Sequence, residues 1–385
     1  MPDIETSSAS VMPMNSRSPN EAHRGATPLE LFFDVVFIVA VGQAASALHH
    51  GIADDNVIEA LVSYSMAFFA IWLAWMNFTW FASSYDNGDI PYRLLVFVQI
   101  TGALIIASGI EPLFIHHDFT VIAMGYIVMR VAHVTQLLRF ARLDVEHRPA
   151  ALRFAMGTSL AQLGWVFFLI LPNPWKIRCF IVGALIELSI PVWAERASPT
   201  SWHPQHIRER YGLFTIIVLG ESILSTSLAI QSVSNEGSLN SNLITTIIGG
   251  LLIVYSMWWL YFYQPADYLL VSFRDAFTWG YSHLLIFEAT AAVGVGLAVV
   301  VDQVTHHIAI SAMGAGMTVA LPISIYIITL WILHEHPQTG NVIDKLLHPI
   351  IVVLILLTPF TGQAVLLIGI LLVFLVALRR LRHLD

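Results

Sequence analysis

From residue 27 onward the chain is a succession of apolar runs, broken by short stretches of Pro, Gly, Asn or charged residues. Runs of about 20 residues are what a helix needs to cross a hydrocarbon layer ~30 Å thick. The pattern predicts twelve helices over 28–48, 57–82, 92–111, 119–142, 150–171, 175–195, 208–231, 241–264, 275–301, 307–333, 342–359 and 361–380. Between the last two, Pro359 and the Thr-Gly-Gln at 361–363 predict a tight turn. One kinked helix over 346–380 is the other possibility there.

Composition leads to the same class. Of 385 residues, 57% are hydrophobic and 11% charged, and the mean hydropathy is +0.72. An ordinary soluble domain carries roughly 25% charged residues, so this chain cannot cover a water-facing surface. Disorder is excluded too, because it needs low hydrophobicity and high charge. The expectation is an all-α polytopic membrane protein. Residues 1–26 differ: they are rich in Ser, Pro and Asn and have no apolar stretch. They read as a disordered cytoplasmic tail, so the first helix is expected to act as its own insertion signal.

Charge placement then orients the helices. With the N-terminus inside, 15 of the 18 Lys and Arg fall on the cytoplasmic side, Lys176 and Arg178 fall opposite, and Arg130 lies within a span. That asymmetry is the positive-inside pattern for an even number of spans. It predicts a multi-pass protein of the plasma (inner) membrane with both termini cytoplasmic.

The two halves also resemble each other. IVAVGQAAS at 38–46 aligns with IIVLGESIL at 216–224, and TWFASSYD at 79–86 with LYFYQPAD at 260–267. Asp86 and Arg93 then stand over Asp267 and Arg274. We read two six-helix repeats, 27–200 and 201–385. Because six is even, they are parallel repeats about an axis along the membrane normal.

Two strings carry a family resemblance. Helix 1 reads Glu30-Leu-Phe-Phe-Asp34, and helix 7 begins Glu209-Arg-Tyr-Gly-Leu-Phe-Thr-Ile-Ile-Val-Leu-Gly-Glu221. With the Asp86/Arg93 stretch, they resemble the bacterial low temperature requirement protein A (LtrA) family over nearly the whole chain after the tail. Membership implies a polytopic membrane protein and a link to growth in the cold. A fainter likeness connects Phe32-Phe33-Asp34 to potassium channels of two six-helix repeats with an F-S-D motif in the first helix; helix 7 has no equivalent.

Ionisable residues inside spans are the informative ones, since burying a charge in hydrocarbon costs at least ~2.5 kcal/mol. Glu30 and Asp34 are four apart and share a face. They could hold a cation or share a proton, or be satisfied by a cytoplasmic arginine. Glu221 lies deep in helix 7 beside Ser222 and Ser225, over Gln43 of helix 1 in the repeat alignment. Glu187 is similarly deep. Arg130 and His133 share a face of helix 4 near Gln136, and Arg130 either lines a pathway or neutralises a buried acid. His283 and Glu288 in helix 9 point to different faces. Each is either a satisfied core group or part of a relay.

Three His pairs, His49/His50, His116/His117 and His306/His307, fall at non-cytoplasmic helix ends near Asp54, Asp55 and Asp118. Imidazole suits transition metals and titrates near neutral pH, so a metal-capturing rim or a pH sensor is one expectation and plain decoration of helix ends the other. Ala292/Gly296 and Ala312/Gly316 predict close helix packing. The Trp72, Trp75, Trp80, Trp258, Trp259 and Tyr261 cluster predicts interfacial anchoring and packing.

Other classes receive no support. The lone Cys179 offers no disulfide or C-x-x-C site, and there is no Walker A string, G-x-S-x-G elbow or H-E-x-x-H. We expect neither enzymatic activity nor a cofactor. A net charge of −8 without a basic patch argues against nucleic-acid binding. The expected partners are the lipid bilayer and a small solute or ion. The leading expectation is a transporter or permease, possible coupling to protons running through Glu221. The alternative is a membrane-embedded scaffold or sensor in cold adaptation that transports nothing.

Overall fold

The computed structural model describes residues 21, 24–235, 241–263, 267–270, 272–335 and 342–382. Among these no strand occurs, and the chain is a string of helices: α1 Pro28–Ala53, α2 Val57–Tyr85, α3 Ile90–His116, α4 Thr120–Leu143, α5 Arg148–Leu169 and α6 Asn173–Glu195. After these come α7 Pro204–Asn235, α8 Ser241–Phe262, α9 Phe273–Val304, α10 Ala312–Leu330, α11 Val342–Leu357 and α12 Ala364–Arg382. Each matches one predicted run.

Eleven of the described helices are long and apolar enough to cross a membrane. The exception is α11, whose 16 residues reach only ~24 Å at 1.5 Å per residue. A 3-10 turn over Thr358–Thr361 extends it, and Gly362 then reverses the chain at φ 74°. That left-handed conformation suits a glycine. It makes α11 and α12 two helices, so the single kinked helix is excluded.

Packing divides the chain into two units. Unit 1 runs to Ala40 and resumes over Ala70–Arg210, whereas unit 2 takes Val41–Phe69 and continues from Tyr211. The division by packing falls inside α1 and α2 and again at Arg210.

In unit 1, Phe33 stacks on Phe78 at 3.8 Å between ring centroids, and Tyr85 meets Phe140 at 3.9 Å. The outward faces of α5 and α6 are apolar, with Leu163, Phe167 and Leu185 each 61–67% exposed. Water would penalise such a surface and lipid would not, which is the pattern of a bilayer-facing wall. In unit 2, α9 is enclosed on nearly all sides. Its Gly296 lies directly against the Thr318 backbone of α10, and Gly316 faces Ala364 and Pro359. The two glycines serve packing, whereas Ala312 is exposed.

One boundary moves. Arg24 falls within the stretch read as a disordered tail, yet it is buried and its Nη2 donates to the Ala82 carbonyl at 2.7 Å. A chain of polar residues can be tied down by a single buried charge that finds partners, here the Ala82 carbonyl of α2 and, at 3.7 Å, Glu30 of α1.

Candidate functional site

Glu30 and Asp34 sit one turn apart on α1 and are completely buried, together with Arg210 and His206 of α7. The Arg210 guanidinium grips Asp34 with Nη2 at 2.6 Å and Nε at 3.1 Å, and its Nη1 stands 3.1 Å from Glu30. Trp75 of α2 donates to the same Asp34 carboxylate at 2.7 Å. Around Glu30, His206 Nε2 lies at 3.1 Å, Arg24 at 3.7 Å, and the Thr27 amide donates at 2.7 Å. Two carboxylates face two guanidinium groups, so charge balances with a neutral His206. A bidentate Arg–carboxylate fork of this kind is strong and geometrically specific. It fills the acceptor positions that a bound cation would need. Trp75, expected in interfacial anchoring and packing, is buried as a member of this cluster.

Elsewhere in unit 1, Arg130 of α4 pairs with Glu187 of α6 at 2.8 Å, and Trp165 of α5 donates to the same carboxylate oxygen at 2.8 Å. Arg130 also donates to the Thr158 carbonyl at 3.1 Å and lies over the Tyr126 ring. Pro191 removes the amide that would otherwise reach the Glu187 carbonyl one turn back. His133 is buried between Phe81 and Phe154, and Gln136 accepts from Gln99 at 2.8 Å. Arg130 thus neutralises the buried Glu187, one of the two roles expected of it.

The sequence reading missed Arg210, counted only as a topogenic charge, and the pair Asp89–Arg139. Asp89 caps α3 by accepting from the Tyr92 amide at 2.9 Å, and Arg139 of α4 holds it through two nitrogens. The Asp89-Ile-Pro91 string was the available signal, since Asp before a first-turn Pro marks a helix start.

Unit 2 holds acids of a different kind. Glu221 on α7 is half-buried, and Ser225 Oγ, at 3.4 Å, is its hydrogen-bonding neighbour. A Cβ on Gly42 of α1 would stand 2.9 Å from Glu221 Oε1, so the glycine makes room for the carboxylate. Gln43, the residue aligned with Glu221, is exposed; one step along a helix turns the face by about 100°. Ser222 packs α7 on α9 by donating to the Thr290 carbonyl at 2.8 Å. Glu288 of α9 accepts from Ser65 Oγ at 2.6 Å, while the Tyr64 hydroxyl donates to the Glu288 backbone carbonyl at 2.8 Å. Among the described residues no Lys, Arg or His pairs with either acid.

His283 is a satisfied core residue. Its Nδ1 faces the Trp279 carbonyl at 2.7 Å and its Nε2 the Tyr261 hydroxyl at 3.0 Å. A carbonyl only accepts, so Nδ1 carries the proton and Nε2 accepts from Tyr261.

Among the described residues no three His, Cys, Asp or Glu side chains gather into a metal-holding group. His49 pairs with Asp302 at 2.8 Å, His50 Nδ1 bonds the Ser46 carbonyl at 2.7 Å, and His307 Nδ1 meets Thr305 Oγ1 at 2.7 Å. His117 and His306 adopt left-handed backbone angles, φ 52° and 63°, a conformation in which His is enriched. His116 precedes the first of these turns at the end of α3. His117 and His306 stand where the backbone reverses direction. Beside them, the Thr120 hydroxyl and amide hold the exposed Asp118 carboxyl below its ordinary range.

A family profile described as bacterial low temperature requirement A protein (LtrA) matches residues 25–379. A protein of Rhizobium meliloti (strain 1021), described as uncharacterized, is 26% identical over 261 residues. That alignment covers 64% of this chain and spans 61% of the relative's length. No solved structure matches.

Proposed function

We propose, from the premise that the chain belongs to the bacterial low temperature requirement A family, that it is a transporter or permease for a small solute or ion. Glu221 is the group that takes up a proton or cation. What carries this reading is a contrast among the buried acids. Glu30, Asp34 and Glu187 each meet an arginine, whereas Glu221 meets a serine hydroxyl and a glycine. An acid inside the bilayer without a counter-charge is costly and marks a pathway by default. Counted from Arg208, Glu221 is ~20 Å along α7 at 1.5 Å per residue, which puts it near the middle of a span. In this reading the bilayer is the plasma membrane, both termini are cytoplasmic, and the helices form two parallel six-helix repeats.

The second reading, a scaffold or sensor, draws on the charge-balanced cluster of unit 1, where every ionised group has a local partner. Proteoliposomes separate the two. Flux of a panel of ions and small solutes, with or without an imposed pH gradient, should exceed that of empty liposomes. Glu221→Gln should remove the flux or its pH dependence while leaving folding intact. Absence of flux for the whole panel would favour the scaffold.

A further inference from the structure

Unit 2 contains a cavity of about 630 Å³ between α1, α2, α9 and α10. That is within the range of pockets that take small organic molecules, ~300–1,000 Å³. Its walls are almost entirely apolar, with Leu48, Leu61, Ala292, Met317 and Ile325 representative of the four helices. Its polar lining groups are few, and most are already engaged. The Tyr64 hydroxyl is donated to the Glu288 carbonyl, and the Thr318 hydroxyl to the Ala315 carbonyl at 2.7 Å. Ser65 donates to Glu288 Oε1 at 2.6 Å. The hydrogen bond engages Oε1 of the Glu288 carboxylate, which lines the cavity, and among the described residues no cationic side chain pairs with it.

We propose that this cavity binds a lipophilic organic cation, its apolar body against the walls and its positive charge against Glu288. The argument is complementarity. A lone carboxylate among apolar walls is costly, and the ligand that relieves this cost brings a positive charge without needing further hydrogen bonds. A hydrophilic cation would lose its hydration against these walls and regain little. A neutral apolar molecule would fill the volume but leave the carboxylate unpaired. The site is separate from Glu221, so binding here stands or falls independently of the transport reading.

The test uses the full chain in nanodiscs of zwitterionic lipid, with ethidium as the probe and its neutral parent, phenanthridine, as the control. Ethidium anisotropy, corrected for empty nanodiscs, should saturate. Glu288→Gln, which keeps the shape and the Ser65 hydrogen bond, should weaken ethidium binding at least tenfold and leave phenanthridine unchanged. Ala292→Phe, which fills the cavity without touching the carboxylate, should weaken both. Equal ethidium affinity in the native chain and Glu288→Gln overturns the proposal. So does phenanthridine binding the native chain as tightly as ethidium, because the cavity would then be an apolar groove indifferent to charge. That second comparison needs no variant, so the proposal stays testable if Glu288→Gln fails to fold.

Discussion

Arg210 holds Asp34 through two of its nitrogens, Nη2 at 2.6 Å and Nε at 3.1 Å, across 176 residues of sequence. A guanidinium is a rigid planar fork, so this geometry fixes both the distance and the rotation of α7 against the N-terminal part of α1. Leaving one member of a buried pair alone costs about 3–5 kcal/mol, but Glu30 would still face Arg210 at 3.1 Å. Asp34→Asn should therefore lower the thermal unfolding midpoint in detergent, by less than that full cost. Arg210→Lys preserves charge but not the fork, and should fall between the two. A lysine variant as stable as the native chain would show that charge, not the paired geometry, holds the helices.

The two kinds of buried acid should respond differently to neutralisation. Glu187→Gln leaves Arg130 charged and without its counter-ion, at a cost on the same scale of about 3–5 kcal/mol. Glu221→Gln strands no cation, and its unfolding midpoint should stay close to native. Replacing both Arg130 and Glu187 by apolar residues (Arg130→Met with Glu187→Leu) should recover most of the loss, since buried ion pairs often exchange for apolar packing at little cost. Unfolding curves of the four proteins, measured in one detergent, decide this. Equal losses for the Glu187 and Glu221 variants would erase the distinction on which the transport reading rests.

Most of the helix order was legible because it is a local property. A run of apolar residues and a turn at Pro359–Gln363 are written consecutively, and the structure follows both. Pairing was not. Glu30 and Asp34 announced themselves as misfits in a membrane span, but Arg210 looked like one more charge at a cytoplasmic helix end. Nothing local in the sequence says which of many arginines reaches back to α1. Gln43 failed by a single residue, since aligning two helices within one position still leaves the face undetermined. The His pairs failed for another reason: adjacent residues on a helix point about 100° apart, and at His117 and His306 the backbone conformation, not the imidazole, explains the residue.

Orientation follows from the distribution of Lys and Arg and is checked by labelling. In a Cys179→Ser background, a cysteine introduced at Ser234 should react with a membrane-impermeant maleimide from outside intact cells. One at Ser198 should react only after the membrane is opened. Ser198 donates to the Glu146 carbonyl at 2.9 Å, joining two connections that the charge pattern puts on the same side. Reaction at position 234 from the cytoplasm alone would reverse α7 and everything after it.

The most local prediction concerns the space in front of Glu221. A Cβ at position 42 would lie 2.9 Å from Glu221 Oε1 and 3.2 Å from its Cδ, closer than side chains normally approach. The atoms met are the tip of a flexible side chain, so Gly42→Ala should displace the carboxylate instead of spreading the helices. Alanine also favours the helix by up to ~1 kcal/mol over glycine, so stability should hold or rise. Gly220, adjacent to Glu221 on α7, has no atom within 4 Å of the corresponding Cβ position. Gly220→Ala carries the same change in propensity without the contact and serves as the matched control. If Glu221 takes up the transported proton or cation, Gly42→Ala should depress flux in proteoliposomes several-fold while Gly220→Ala stays near native. Both variants should keep their unfolding midpoints. Native flux in Gly42→Ala would mean that the position of the Glu221 carboxylate does not matter, and the acid would then be a tolerated passenger of the span.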